Sequence, residues 1–187
     1  MIKGGGIEKG MYILYKDEPY LVAEREFVNP GKGAAFTRCK LKNVRTGSVL
    51  RETIKSSDSV EEANVFDRDG QYLYNDGETY HFMDIETYDQ FDIPSSVLSD
   101  KGAYLKEGDQ YRIVMWEQQP VDVIIPLKMV FEVTDAPDAV KGDTVTGATK
   151  TVVVETGLSV QVPIFIKGGD KIRVNTESGE YVERVNE

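Results

Sequence analysis

The amino-acid sequence predicts an all-β protein made of small barrels. Helical periodicity is almost absent along the 187 residues. Short segments with alternating apolar and polar residues recur instead, and Gly, Pro, Asn and Asp bound them. Such segments are typical of small antiparallel sandwiches and barrels.

The first third of the chain supplies the strands of one barrel, which we expect to span residues 1–63. A Pro-Gly pair in the turn 29–33 fits a type II turn, which places Pro at its second position and Gly at its third. A Thr-Gly turn at 46–47 leads into the last of these strands. The predicted strands are 11–15, 20–23, 25–28, 35–44 and 49–55.

The middle of the chain shows the same pattern of short strands separated by turns, and it predicts a second barrel, of the OB type, over residues 64–128. An Asp-Gly pair in the turn 75–78 predicts a hairpin of strands 72–74 and 79–83. Asp92 is expected to cap a short helix that runs to Leu98, with Pro94 in its first turn. Strands 111–116 and 121–125 follow.

The last third predicts a third barrel over residues 129–187. Five alternating segments occupy some sixty residues, which suits an OB-type barrel. They are 130–134, 151–155, 160–166, 171–175 and 181–185.

Charge is distributed unevenly. The whole chain carries a formal charge of −10, which by itself argues against a nucleic-acid-binding protein. Residues 20–55, however, contain eight basic and three acidic side chains, whereas residues 56–140 contain five basic and nineteen acidic ones. Because the Debye length is about 8 Å at physiological salt, a basic surface a few nanometres from the acidic one behaves almost independently.

The composition argues against an enzyme. One His and one Cys cannot supply the three or four clustered ligands of a catalytic metal site. A Ser-His-Asp arrangement would depend on His81 alone, and we expect His81 to be a partly buried structural residue of its strand. We therefore expect no catalytic residues, no cofactor and no metal.

The sequence also predicts a cytoplasmic protein that does not contact membranes. No apolar run approaches the roughly 20 residues that a membrane helix needs. The first six residues lack the apolar region of a signal peptide, and Cys39 has no second cysteine with which to form a disulfide.

The strand that follows the Pro-Gly turn predicts a basic face. Alternation places Phe36, Arg38, Lys40 and Lys42 on one side and Thr37, Cys39 and Leu41 on the other. Arg51 and Lys55 share a face of the next strand. Such a stripe fits contacts with phosphates, and the alternative is an ordinary solvated face.

Lys32 lies at the apex of the second hairpin, between Gly31 and Gly33. Both glycines can adopt positive φ, so the lysine side chain is expected to extend beyond the fold. If the arm has about seven residues on each side, its apex lies on the order of 20–25 Å from the base. The alternative is a solvated turn lysine with no further role.

At these residues the sequence resembles the elongation factor P family, in order and over essentially the whole chain. The resemblance implies a KOW-like (SH3-like) amino-terminal barrel and two OB-type barrels, arranged in an L shape like tRNA. It also implies a factor that binds the ribosome between the peptidyl and exit sites and promotes peptide-bond formation at consecutive prolines. The matching segments are 30–38, 40–43, 46–47, 72–77, 156–163 and 178–181.

The resemblance further implies roles for individual residues. Lys32 matches the residue that is modified at the hairpin tip in members of the family, and Pro30, Gly31 and Gly33 form the tip loop around it. Lys32 would position the CCA end of peptidyl-tRNA. Gly142, Asp143 and Thr144 match the loop that contacts the exit-site codon of the mRNA.

The implied partners are the ribosome, through rRNA and ribosomal proteins, peptidyl-tRNA, the exit-site mRNA codon and a lysine-modifying enzyme, with the protein itself a monomer. The alternative is a KOW/OB module or paralogue that binds RNA without a modified tip lysine.

Overall fold

The computed structural model describes residues 1–138 and 147–186. Within these residues the strands form three antiparallel sheets, so the expected all-β fold is confirmed. No helix in the described part of the chain is long and apolar enough to cross a membrane.

The first sheet has the order β1-β6-β2-β3-β4-β5. Its inner side is apolar, with Ile13, Val22 and Leu41 fully buried. A 3₁₀ helix at Gly4–Gly6 is attached to this sheet because the buried Thr37 hydroxyl donates to the Gly4 carbonyl over 2.9 Å. The strands are Ile2–Lys3 (β1), Tyr12–Tyr15 (β2), Glu18–Val28 (β3), Phe36–Asn43 (β4), Val49–Lys55 (β5) and Ser59–Glu62 (β6).

The long strand β3 replaces two strands that the sequence predicted separately. Its pairing with β4 shifts between Val22 and Glu24, which marks a β-bulge or irregularity in the ladder. Such an extra residue bends a strand without ending it. The predicted break between 20–23 and 25–28 is therefore wrong, and one strand runs from the sheet interior to the tip loop.

The second sheet has the order β11-β10-β7-β8-β9, and its edge strands β9 and β11 contact each other. Phe82, Ile93 and Ile113 are fully buried. The strands are Val65–Asn75 (β7), Thr79–Asp84 (β8), Gln90–Pro94 (β9), Gln110–Trp116 (β10) and Gln119–Ile124 (β11).

The short helix α1 spans Ser95–Leu98, and its N-cap is Pro94 without a side-chain hydrogen bond. The predicted cap was wrong. Asp92 lies inside β9, where its carboxylate is 2.7 Å from Nδ1 of His81. A 3₁₀ helix at Ser99–Tyr104 follows α1.

The third sheet has the order β14-β13-β12-β15-β16. Phe131, Val162 and Ile172 are fully buried, and the Phe131 ring lies 6.2 Å from that of Tyr104. The predicted strand 160–166 ends earlier, at Pro163. The strands are Lys128–Asp135 (β12), Thr149–Val154 (β13), Ser159–Pro163 (β14), Lys171–Asn175 (β15) and Tyr181–Val185 (β16).

The chain divides into two compact units. The first contains residues 1–99 and 107–124, and therefore both of the first two sheets. The second contains residues 100–106 and 125–187. The domain bounds 1–63, 64–128 and 129–187 stay a prediction.

Candidate nucleic-acid interface

Strand β4 has one buried and one outward face. Thr37, Cys39 and Leu41 are buried, while Arg38 between them is exposed. The predicted alternation is confirmed. Burial raises the pKa of the Cys39 thiol, so this cysteine is an inert residue of the core at neutral pH.

The outward face continues across β3, β4 and β5. Lys40 pairs with Glu24 on one side and Arg51 on the other, and the next row joins Glu26, Arg38 and Thr53. Lys55 pairs with Phe36 at the end of the sheet nearest the tip. The basic residues of this face are Arg38, Lys40, Lys42, Arg51 and Lys55, against the acidic Glu24 and Glu26, so five positive and two negative charges leave a local +3.

Two of the five basic side chains form ion pairs within the face. Arg38 lies 3.5 Å from Glu26, and Lys40 lies 2.8 Å from Glu24. The hydrogen bond from Lys40 holds the pKa of Glu24 below its usual range. Because these pairs are solvated, they contribute little to stability, and a phosphate can replace the carboxylate at small cost.

Arg51 and Lys55 are both exposed. Within residues 1–138 and 147–186, neither side chain forms a hydrogen bond or ion pair. Their charges are therefore exposed to solvent and are not neutralised by a partner within the described residues.

Lys42 differs from the other four residues. Its ammonium donates to the Val97 carbonyl and, over 3.2 Å, to the Ser99 hydroxyl. Both acceptors belong to the segment around α1, more than fifty positions along the chain. Sequence alternation grouped Lys42 with the phosphate-binding candidates and gave no sign of these partners.

The tip loop, residues 29–35, lies beyond the last β3–β4 pair, Val28 with Phe36. Lys32 is exposed, and among the described residues it has no hydrogen bond or ion pair. The expectation of an outward-pointing lysine agrees with this placement.

The backbone of the tip differs from the predicted type II turn. That turn requires positive φ at Gly31, but in this loop positive φ occurs at Gly33, with a value of +110°. A Cβ added at Gly31 would have nothing within 4 Å. Gly33 is therefore the position where the loop needs glycine for its backbone conformation.

The projecting arm is also shorter than the sequence suggested. β5 accompanies β4 as far as Phe36, where Lys55 is its partner, and the Ser56 amide bonds to the Ala35 carbonyl over 2.9 Å. Only the loop extends beyond this support. Four residues from Phe36 to Lys32 reach at most about 14 Å, so the expected 20–25 Å was wrong.

The remaining predicted loop residues, Gly142, Asp143 and Thr144, lie outside the described residues.

His81 occupies a structural position in the second sheet, as expected. Its ring nitrogens lie 2.9 Å from Asp76 and 2.7 Å from Asp92, and its ring stacks on Tyr74 with centroids 4.4 Å apart. The hydrogen bond with Asp76 raises the pKa of His81, with Asp92 adding to the shift. The same contact lowers the pKa of Asp76 to about 2.

A junction between the first two sheets was not predicted at all. Val44, Val114 and Trp116 share an apolar cluster, and the Arg45 guanidinium lies 4.8 Å from the Trp116 ring centroid. The Tyr12 hydroxyl donates to Asp122 over 3.0 Å. In the sequence these residues read as separate strand and turn positions, and no local pattern links them.

The fold and the site together define a class of protein: an all-β chain of small sheets in which a basic face ends at an exposed lysine. Three family models match the chain in succession. They describe the elongation factor P KOW-like domain (residues 4–60), the elongation factor P OB domain (65–123) and the elongation factor P carboxy-terminal domain (129–184).

Whole-length relatives agree with these models. Elongation factor P of Treponema denticola is 57% identical over 186 residues, with 100% of both chains covered. The proteins of the same name from Treponema pallidum and Borrelia turicatae are 54% and 50% identical, covering all of this chain and 100% and 98% of theirs. The chain therefore belongs to the elongation factor P family and is a translation elongation factor.

Proposed function

We propose that this elongation factor binds the ribosome between the peptidyl and exit sites and promotes peptide-bond formation at consecutive prolines. Lys32 would position the CCA end of peptidyl-tRNA. The observation that carries the proposal is the ammonium of Lys32, which is exposed and has no partner within the described residues, at the end of the basic outward face of the first sheet.

Proline makes such assistance useful. Its ring fixes φ and replaces a primary amine with a constrained secondary one, so consecutive prolines disfavour the geometry that peptide transfer needs. A cation beside the CCA end restricts that end to reactive orientations. Positioning alone can account for several kcal/mol of a reaction barrier, so the factor need supply no acid, base or nucleophile.

The outward face of the first sheet would hold RNA phosphates. Among the described residues, Arg51 and Lys55 have no ion pair to break before they contact a phosphate. Arg38 and Lys40 would first have to give up their ion pairs with Glu26 and Glu24. Each contact adds a roughly independent, salt-dependent contribution to affinity. These four residues would set affinity, while Lys32 would set the rate of peptide transfer.

The other partners follow from the family resemblance. Gly142, Asp143 and Thr144 would contact the exit-site codon, where the Asp143 carboxylate can accept hydrogen bonds from base amino groups. A dedicated enzyme would modify Lys32, whose exposure leaves it accessible. We propose that the factor acts as a cytoplasmic monomer.

The test is the synthesis of a triple-proline reporter by Lys32→Ala in cells that lack the native factor. Lys16→Ala is the matched control, because Lys16 is also an exposed turn lysine of the first sheet. We expect Lys32→Ala to lose rescue and Lys16→Ala to keep it. Full reporter synthesis by Lys32→Ala would refute the proposal and, if free RNA is bound equally well, would favour the alternative RNA-binding module.

A further inference from the structure

Lys42 caps the last turn of α1 from another sheet. The last carbonyls of a helix have no partner within the helix, and a lysine ammonium can satisfy them. Here the ammonium of Lys42, on β4 of the first sheet, donates to the Val97 carbonyl of α1, which follows β9 of the second sheet. A bond of this kind connects the two sheets of the first compact unit.

The second acceptor of Lys42 has a strained backbone. Ser99 has φ +50° and ψ −127°, although it is not glycine. Non-glycine residues in such sparsely populated regions cost free energy and persist only where surrounding contacts hold them. The Ser99 hydroxyl lies 3.2 Å from the Lys42 ammonium and 3.3 Å from the Ser96 carbonyl, so the strained conformation places an acceptor where Lys42 needs one.

The backbones of the first two sheets also approach each other closely at this connection, which we call the joint. A Cβ added at Gly47 would overlap the Ser96 carbonyl and lie 2.6 Å from its carbon atom. The turn 44–48 of the first sheet and the segment 95–99, which contains α1 and Ser99, are therefore in direct contact. The hydrogen bonds of Lys42 lie beside this contact and resist rotation of one sheet relative to the other.

The joint and the tip lie at opposite ends of one strand. Phe36 lies six positions before Lys42, which is about 20 Å of β4. With up to about 14 Å of tip loop, Lys32 lies as much as about 34 Å from the joint. A rotation of about 5° at the joint would therefore displace Lys32 by about 3 Å, and 1 Å can already cost a reaction about a hundredfold.

We infer that Lys42 is a positioning residue: by capping α1 it fixes the direction in which β4 presents Lys32. This inference rests on the proposed function of Lys32. It assigns Lys42 a role distinct from that of the phosphate-binding candidates Arg38, Lys40, Arg51 and Lys55.

The first experiment measures the joint itself. Spin labels at Ala34→Cys and Asp89→Cys, both exposed positions, report the distance between the tip loop and the second sheet by pulsed electron resonance. The native Cys39 is buried and does not interfere. We expect Lys42→Met to broaden this distance distribution and Lys9→Met, which changes an exposed lysine outside the joint, to leave it unchanged.

The second experiment separates positioning from RNA binding. On ribosomes stalled at three prolines, we expect Lys42→Met to lower the saturated rate of peptide transfer by about tenfold or more, with half-saturation and its salt dependence unchanged. Arg51→Met should instead weaken the half-saturation and flatten its salt dependence. Lys42→Arg, which can still donate to Val97 and Ser99, should restore most of the rate.

The outcomes are distinct. An unbroadened distance distribution, or a Lys42→Met variant with a weakened, less salt-dependent half-saturation and a normal saturated rate, would overturn the inference. A normal saturated rate for Lys32→Ala in the same assay would instead overturn the proposed function. Circular dichroism at the assay temperature confirms that each variant is folded. If Lys42→Met does not fold, Ser99→Ala repeats the test, because it removes one of the two acceptors of Lys42 together with the Ser99–Ser96 hydrogen bond.

Discussion

Replacing Gly47 with alanine should destabilise the first compact unit by about 2–5 kcal/mol. Gly47 has φ +78°, and the left-handed conformation costs an L-residue roughly 1–2 kcal/mol. The new Cβ would also overlap the Ser96 carbonyl and lie 3.1 Å from the Val97 amide nitrogen. These are backbone atoms that cannot rotate away, so overpacking adds about 1–3 kcal/mol.

Gly108 offers a matched control in the same unit. Its φ is +85°, but a Cβ there would have nothing within 4 Å. Gly108→Ala should therefore show the conformational cost alone, about 1–2 kcal/mol. The difference between the two variants isolates the contact between Gly47 and Ser96.

Urea unfolding followed by tryptophan fluorescence measures both variants. Trp116 is the single tryptophan of the chain, is 9% exposed and belongs to the apolar cluster at the joint. Equal free energies of unfolding for Gly47→Ala and Gly108→Ala would show that Gly47 is not in close contact with Ser96 of α1, and would refute the reasoning.

Two further predictions concern single hydrogen-bonded groups. The His81–Asp76 contact should stabilise the fold between about pH 4 and 6.5. The contribution of His81 is complete below its unfolded pKa and is lost as the pH rises through its raised folded pKa. The contribution of Asp76 is lost as the pH falls toward its folded pKa of about 2. Urea midpoints of wild type and His81→Gln should differ most near pH 5–6, and the difference should shrink as the pH rises above about 6.5. A difference that stays constant with pH would contradict this. Tyr12→Phe removes a donor from the Asp122 carboxylate and should lower the free energy of unfolding by about 1–2 kcal/mol. The control is Tyr74→Phe, at a residue that is 50% exposed, which should change the free energy of unfolding by less than about 0.5 kcal/mol. Equal effects of the two substitutions would count against a stabilising Tyr12–Asp122 hydrogen bond.

Local alternation was sufficient to predict the faces of single strands. In β4 the small or apolar Thr37, Cys39 and Leu41 alternate with charged residues, and burial follows that pattern. The Asp-Gly turn between β7 and β8 was predicted for the same reason, because its signal lies within four residues. The exposure of Lys32 was predicted from its place between Gly31 and Gly33 at the apex of the hairpin.

What the sequence could not predict depends on contacts between distant segments. Lys42 follows the same alternation as Arg38, yet its partners lie in α1, and only tertiary packing brings them together. Asp92 is a residue type that often caps helices, but its carboxylate is hydrogen-bonded to the His81 imidazole instead. The length of the arm was overestimated because the support from β5 comes from residues after the hairpin.

The central claim is that Lys32 accelerates peptide transfer by positioning and contributes little to binding. The most direct measurement is the single-turnover rate of peptide-bond formation on ribosomes stalled at consecutive prolines, with wild type or Lys32→Ala added over a range of concentrations. We predict that Lys32→Ala saturates the ribosome at a similar concentration but leaves the rate near that of stalled ribosomes without the factor. A saturated rate equal to that of wild type would contradict the claim.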